Sequence, residues 1–298
     1  MAPVVLLAGG TGGAKLARGL LDELGSELVV IANTGDDLDI YGAHVSPDPD
    51  LVTFWLADAI DERGWGLAGD TFAAMGQLRA LGEDVWFNLG DRDLAIGLHR
   101  AGRLAAGGRL TDAIDDLRRA FGVTARVLVP SDQPVRTWIR AGGPWRAFQE
   151  FMIRDRAQGP ISAVEFRGAP APPAPEALAA LHDASAIIIG PSNPVLSIDP
   201  ILSVLGDAVR AAQAPVIAVS PLVHGRVLKG PTADFLAWAG RSLDSDGIVE
   251  HYAGVIDALV ADQRAEHMPT LETDVGLSDP DARRRVAREV LAFAAALG

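Results

Sequence analysis

The residues able to do chemistry in this chain are a glycine run and a scattered set of carboxylates. Gly9-Gly10-Thr11-Gly12-Gly13-Ala14-Lys15 places four glycines in five positions. Glycine lets the backbone approach a bulky anion, and the free N–H groups and positive dipole of a helix start favour phosphate. The run therefore predicts a phosphate site served by Gly10, Thr11, Gly12, Gly13 and Lys15. It matches neither common nucleotide template. Counting Gly-x-Gly-x-x-Gly from Gly10, the last glycine falls on Lys15, and a Walker loop needs Gly before that lysine and Ser or Thr after it, where Ala14 and Leu16 stand.

Asp36, Asp37, Asp48, Asp50, Asp91 and Asp93 supply the carboxylates, with Arg92 between the last two. None of the six histidines has His-x-x-x-His spacing, no serine lies in a Gly-x-Ser-x-Gly elbow, and cysteine is absent. Any metal must then be held by oxygen or histidine. Carboxylates beside a phosphate loop suit phosphoryl transfer, in which Mg2+ and cations neutralise charge while a carboxylate orients the attacking hydroxyl. The residues point to a transferase acting on a nucleoside diphosphate compound.

The elements that must position these groups read as an α/β, Rossmann-like fold with a mostly parallel sheet. Residues 4–8 form a fully apolar strand that runs into the glycine turn and a helix, and residues 27–32 form a second strand ending at Asn33-Thr34-Gly35-Asp36-Asp37. Positions just past the carboxyl ends of such strands face the ligand crevice, which places Asn33, Asp36 and Asp37 well. Further strands are expected at 125–129, 186–189 and 215–219, with a hairpin or sheet edge at 138–151 and a short strand at 163–167. The second of these runs into Gly190-Pro191-Ser192-Asn193-Pro194, whose Ser192 and Asn193 suit a phosphate or a base edge.

From residue 43 to 121 the strand–helix rhythm lapses, and a mainly helical insertion is expected beside the sheet, with residues 1–42 and 122–298 forming the core. Ser46-Pro47-Asp48-Pro49-Asp50 reads as a stiff acidic turn ahead of a helix over 51–60, which makes Asp50 a solvent-facing loop acid. Asp70 or Thr71 is expected to cap the helix that ends at Leu81. Arg283, Arg284, Arg285 and Arg288 read as the solvated face of a C-terminal helix.

A chain of 298 residues with 49% hydrophobic residues can bury a large core. Its net charge of −13 argues against a nucleic-acid partner, which would require clustered basic residues. No apolar run reaches the roughly 18 residues of a membrane span, so a cytoplasmic protein without a membrane partner is expected.

Taken in order, Gly9-Gly10-Thr11-Gly12-Gly13-Ala14-Lys15, Asn33-Thr34-Gly35-Asp36-Asp37, Ser46-Pro47-Asp48-x-Asp50, Trp65-Gly66 with Asp70-Thr71-Phe72, Leu89-Gly90-Asp91-Arg92-Asp93, Pro130-Ser131-Asp132, Phe148-Gln149-Glu150 and Gly190-Pro191-Ser192-Asn193-Pro194 resemble the 2-phospho-L-lactate transferase family of coenzyme F420 biosynthesis. The resemblance implies a Mg2+-dependent transfer of a phospho-carboxylic acid group from a guanosine diphosphate conjugate to a ribityl hydroxyl of the deazaflavin Fo, releasing GMP. It implies Asp50, Arg92 and Asp37 as catalytic groups, Asp50, Arg92, Asp48 and Asp91 around Fo, and Asp36 and Asp50 on the metal. The loops at Gly10, Asn33, Ser192 and Asn193 would hold the nucleotide, and a homodimer is the family-level expectation. Pro49 and Leu51 around Asp50, Ile96-Gly97, and Asp199 depart from the family pattern. The transferred acid (lactyl, enolpyruvyl or glyceryl) stays open, as does the rival reading of a nucleotide-sugar-binding regulator of related fold without activity.

Overall fold

The computed structural model describes residues 2–298. In chain order the strands are β1 (Val4–Ala8), β2 (Leu28–Ala32), β3 (Leu38–Ile40), β4 (Ala43–Val45), β5 (Arg126–Leu128), β6 (Arg136–Ala141), β7 (Trp145–Ala147), β8 (Ile161–Arg167), β9 (Ala186–Ile189), β10 (Val216–Val219), β11 (Leu222–Val223), β12 (Arg226–Val227), β13 (Ala258–Ala261) and β14 (Thr270–Glu272). The helices that matter most to the site are α1 (Gly10–Leu24), α2 (Pro47–Leu56), α3 (Ala73–Ala80), α4 (Asp91–Ala105) and α5 (Leu110–Ala120).

Seven strands form one sheet in the order β14-β13-β10-β9-β1-β2-β5, every pair parallel. The sequences VVLLA, LVVIA, AIII, VIAV and ALVA bury every residue, as strands covered on both faces must. Alternation divides them between two cores. Val4, Leu6 and Ala8 pack with α1, α2, α5 and the C-terminal helix Pro280–Leu297. Val5 and Leu7 pack with the helices Pro175–His182 and Asp199–Arg210. Strand order reverses direction at the β1/β9 boundary, the place where open α/β sheets bind ligands. The glycine turn after β1 and the Ser192-Asn193 loop after β9 therefore meet there.

Several elements begin elsewhere than the sequence suggests. Glu27 lies in a 3-10 turn (Gly25–Glu27), and β2 starts one residue later. Ser46 through Asp50 is no turn. Pro47 opens α2, Asp48 and Asp50 lie in its first turn, and the helix stops at Leu56 rather than at residue 60. Both prolines are tolerated because first-turn N–H groups have no helical partner. The hairpin over 138–151 ends as a strand at Ala147 and continues into a single π-helical turn, Glu150–Arg154. The short hairpin β3–β4, absent from the sequence reading, buries Ala43, His44 and Val45.

Between residues 43 and 121, α2 and α5 share the hydrophobic core of the central sheet, while Ala43 and Val45 pack on Met75 of α3 and Leu89 in a smaller cluster of their own. Among the described residues, no helix is long and apolar enough to cross a membrane.

Candidate active site

The glycine turn is shaped by its own chain. Gly10 adopts φ +63°, a left-handed conformation that favours glycine. A Cβ on Gly12 would overlap the carbonyl oxygen of Pro191, and one on Gly13 would stand 2.9 Å from both Ala8 Cβ and Ser192 Oγ. The glycines thus let the β1 and β9 loops touch. The anion position at the start of α1 is taken by Asp48, whose Oδ1 accepts from Gly10 N–H at 2.7 Å and whose Oδ2 accepts from Asn33 Nδ2 at 2.9 Å. A carboxylate there is stabilised by the helix dipole. The Asn33 Oδ1 accepts from Gly35 N–H, and Ser192 Oγ accepts from Gly9 N–H at 3.3 Å. Asn193 caps the turn that follows by accepting from the N–H groups of Val195 and Leu196, while its Nδ2 is buried without a partner.

Four acids gather beside this turn. Asp36, Asp37 and Asp48 are buried, and Asp36 Oδ1 and Asp37 Oδ1 have no hydrogen-bond partner. Burial and the charge of Asp48 raise the Asp36 carboxyl well above the usual range. Burial pushes Asp48 up to about 6, against the hydrogen bonds from Gly10 and Asn33. Asp50 is raised by burial, offset by Arg100.

Two groups absent from the sequence reading organise these acids. The buried His44 ring lies between exposed Asp39 (Nδ1, 2.7 Å) and Asp37 (Nε2, 3.4 Å). Arg100, whose side chain is 1% exposed, donates to His44 O at 2.9 Å and forks onto both oxygens of Asp50. Arg136 adds a further basic group, 3.9 Å from Asp37. The only sequence signals were a histidine inside an apolar hairpin strand and an arginine on the apolar side of an amphipathic helix, and neither announces its partner. Beside these acids a cavity of about 370 Å³ is lined by Asp36, Asp37, Arg136, Trp86, Trp138 and Phe148.

Asp91 and Arg92 stand somewhat apart, at the start of α4. The Asp91 carboxylate receives the N–H groups of Ala73 and Ala74 and so caps α3, while Asp70 receives those of Arg92 and Asp93 and caps α4. The caps are exchanged relative to the expectation that Asp70 or Thr71 caps α3, because the two helix starts face each other. Arg92 is exposed and donates to Ala68 O at 3.1 Å, without an ion pair to Asp91 or Asp93. Asp93 connects this region to the acids. Burial and the charges of Asp50 and Asp70 push it up to about 7, and its Oδ1 is unpartnered.

Raised carboxyls carry a pH signature. In the unfolded chain Asp titrates near 3.9, so between about pH 4 and 7 the native state binds more protons than the unfolded one. Stability is then lost as pH rises through the folded values of Asp48 and Asp93. The raised His44 carries the same sign above its unfolded value. Urea unfolding should give lower stability at pH 7.5 than at pH 5.5, with a shallower slope in Asp93→Asn. A rise in stability over that range would contradict the assignment.

Comparison with known proteins identifies the family of the chain. The family model described as 2-phospho-L-lactate transferase CofD matches residues 4–290. A 2-phospho-L-lactate transferase of Methanospirillum hungatei is 36% identical over 293 residues, covering 97% of this chain and 99% of its own. A phosphoenolpyruvate transferase of Kitasatospora aureofaciens is 37% identical over 312 residues, covering 98% and 97%. A crystal structure of a UPF0052-family protein from Bacillus halodurans superposes with a TM-score of 0.62 over 97% of this chain and 98% of that one, at 17% identity, a likeness of fold alone. The chain belongs to the 2-phospho-L-lactate transferase family, the transferase family of coenzyme F420 biosynthesis that its motifs resemble.

Proposed function

We propose that this protein moves a 2-phospholactyl or phosphoenolpyruvyl-type group from a guanosine diphosphate conjugate to a ribityl hydroxyl of Fo. The observation that carries the reading is that Asp36 and Asp37, each with one buried oxygen lacking a partner, border a cavity also lined by Trp86, Trp138 and Phe148. Flat aromatic walls suit a deazaflavin ring. In the transfer the hydroxyl oxygen forms a bond to the phosphorus that carries the carboxylic acid, the P–O bond to the GMP phosphate breaks, and the hydroxyl proton passes to a carboxylate. Asp37 is suited to that last role, since His44 engages one of its oxygens and the other is buried without a partner.

A Mg2+ ion fits the donor set: hard oxygens, one orphaned on Asp36, with room for phosphate oxygens and water to complete the shell. No three acids or histidines among the described residues are arranged around one point, so phosphate oxygens and water would have to supply most of the shell. When bound, such an ion neutralises charge on the transferring phosphoryl group. Asp50 is a weaker ligand candidate than Asp36, because Arg100 engages both of its oxygens. Its contribution is to hold the cluster in register beside Asp93.

Relatives named for lactyl and enolpyruvyl chemistry are equally similar, so the donor must be tested directly. Protein incubated with Fo, Mg2+ and each of the lactyl, enolpyruvyl and glyceryl guanosine diphosphate conjugates should give GMP and one phospho-acid adduct of Fo by mass spectrometry. Absence of an adduct with all three overturns the reading.

A further inference from the structure

The antiparallel sheet β7-β6-β8 turns one face inward and one outward. Thr137 and Ile139 of β6 are buried, and Ile139 packs with Phe151 and Phe235. Alternation places Arg136, Trp138 and Arg140 on the other face. The register sets Arg167 of β8 opposite Arg136, Glu165 opposite Trp138, and Trp145 of β7 opposite Arg140. Residues opposite one another share a face, so Trp138, Trp145, Glu165 and Arg167 lie together on the outer one.

There Arg167 spans all three strands. Its Cζ lies 4.1 Å from the centre of the Trp138 ring and 5.0 Å from that of Trp145, and its Nε donates to Glu165 Oε2 at 2.9 Å. A guanidinium at these distances is attracted by both rings. Of this stack only Trp138 lines the cavity beside Asp36 and Asp37, whereas Trp145, Glu165 and Arg167 do not. The cation therefore holds the ring from outside the cavity. It also fastens β7, an edge strand of three residues, whose Ala147 and the following Phe148, Gln149 and Glu150 complete the same wall. A strand that short has little stability of its own.

We propose that Arg167 is a positioning residue for the acceptor: by clamping Trp138 and the β6–β7 hairpin it sets the aromatic wall against which the planar ring of Fo stacks. This rests on the acceptor reading above. Arg167 touches neither the substrate nor the reacting atoms, so its loss loosens the acceptor site without removing a group from the chemistry. The effect belongs in acceptor affinity and not in the transfer step.

Titration of Fo with protein, followed by quenching of Fo fluorescence and set beside steady-state transfer, tests it. Arg167 is exposed, so its replacement leaves the core untouched. Arg167→Met should weaken Fo binding and raise the KM for Fo by about five- to tenfold, the scale of one or two cation–π contacts. The kcat and the KM for the guanosine diphosphate conjugate should stay at wild-type values. Arg167→Lys, which keeps a charge near the rings without the planar stack, should fall between. Arg140→Met, which removes an arginine of the same face that donates to Gly143 O, should bind Fo as wild type does. Wild-type Fo affinity in Arg167→Met overturns the proposal and leaves the acceptor reading standing, as does a fall in kcat with the KM for Fo unchanged. A wild-type protein that neither quenches Fo nor transfers to it overturns the acceptor reading and the proposal with it.

Discussion

Asp50→Ala is expected to lose both turnover and stability. Read as a loop acid, Asp50 would leave the fold intact on truncation, but it lies in the first turn of α2 with its side chain 14% exposed, paired with the fully buried Arg100. Removing one partner of such a pair leaves an uncompensated charge in the interior and costs about 3–5 kcal/mol. For a chain of this size that lowers the melting temperature by roughly 5–8 °C. Arg100 also donates to His44 O, so its displacement disturbs the group behind Asp37. Transfer should fall by about a hundredfold or more, the scale of losing a preorganised electrostatic group. The double variant Asp50→Ala/Arg100→Met separates the two effects: it should recover most of the melting temperature and none of the activity. Wild-type melting in the single variant would show that the ion pair contributes nothing, and wild-type turnover would remove Asp50 from the site.

Gly12→Ala should be the most damaging alanine replacement within the glycine run 9–13. Its methyl group would overlap the backbone oxygen of Pro191, which cannot swing aside like a side chain, so the β9 loop must move. Overpacking of this kind costs on the order of 1–3 kcal/mol and more where backbone is displaced. The shift carries Ser192 away from Gly9 and loosens the junction at the centre of the sheet. Gly10→Ala is the informative contrast. Its Cβ would meet nothing nearer than 3.9 Å, so the cost is only that of a left-handed alanine, about 1–2 kcal/mol. Denaturation midpoints should rank wild type above Gly10→Ala and Gly10→Ala above Gly12→Ala. The reverse order would mean that the glycines are kept for backbone freedom rather than for close approach.

The contrast shows how much of the site was legible. The four glycines correctly marked a place where something comes close to the backbone. A local pattern does not say what, and at Gly9, Gly12 and Gly13 it is the protein's own Ser197, Asp48, Pro191 and Ser192. Acids were recognisable as a group, yet their roles divided on folding. Asp36, Asp37 and Asp48 are buried together at the carboxyl end of β2, whereas Asp91 turned out to cap α3 and Asp70 to cap α4. Capping is read from sequence by proximity, and here each acid reaches about 20 positions along the chain to the other helix.

What the sequence by itself determined are the features that depend on neighbouring residues. Continuous apolar runs specify buried parallel strands, glycine and proline punctuate their ends, and an ordered series of short motifs identifies the transferase family. Tertiary structure alone decided which distant groups meet. His44 between Asp37 and Asp39, Arg100 on Asp50 and Arg167 over Trp138 and Trp145 all depend on the path of the chain between them. The physical reason is that side-chain periodicity records only whether a residue faces the core or water, while the partner of a buried charge is set by how the sheet order and the loops above it bring separate segments into one crevice.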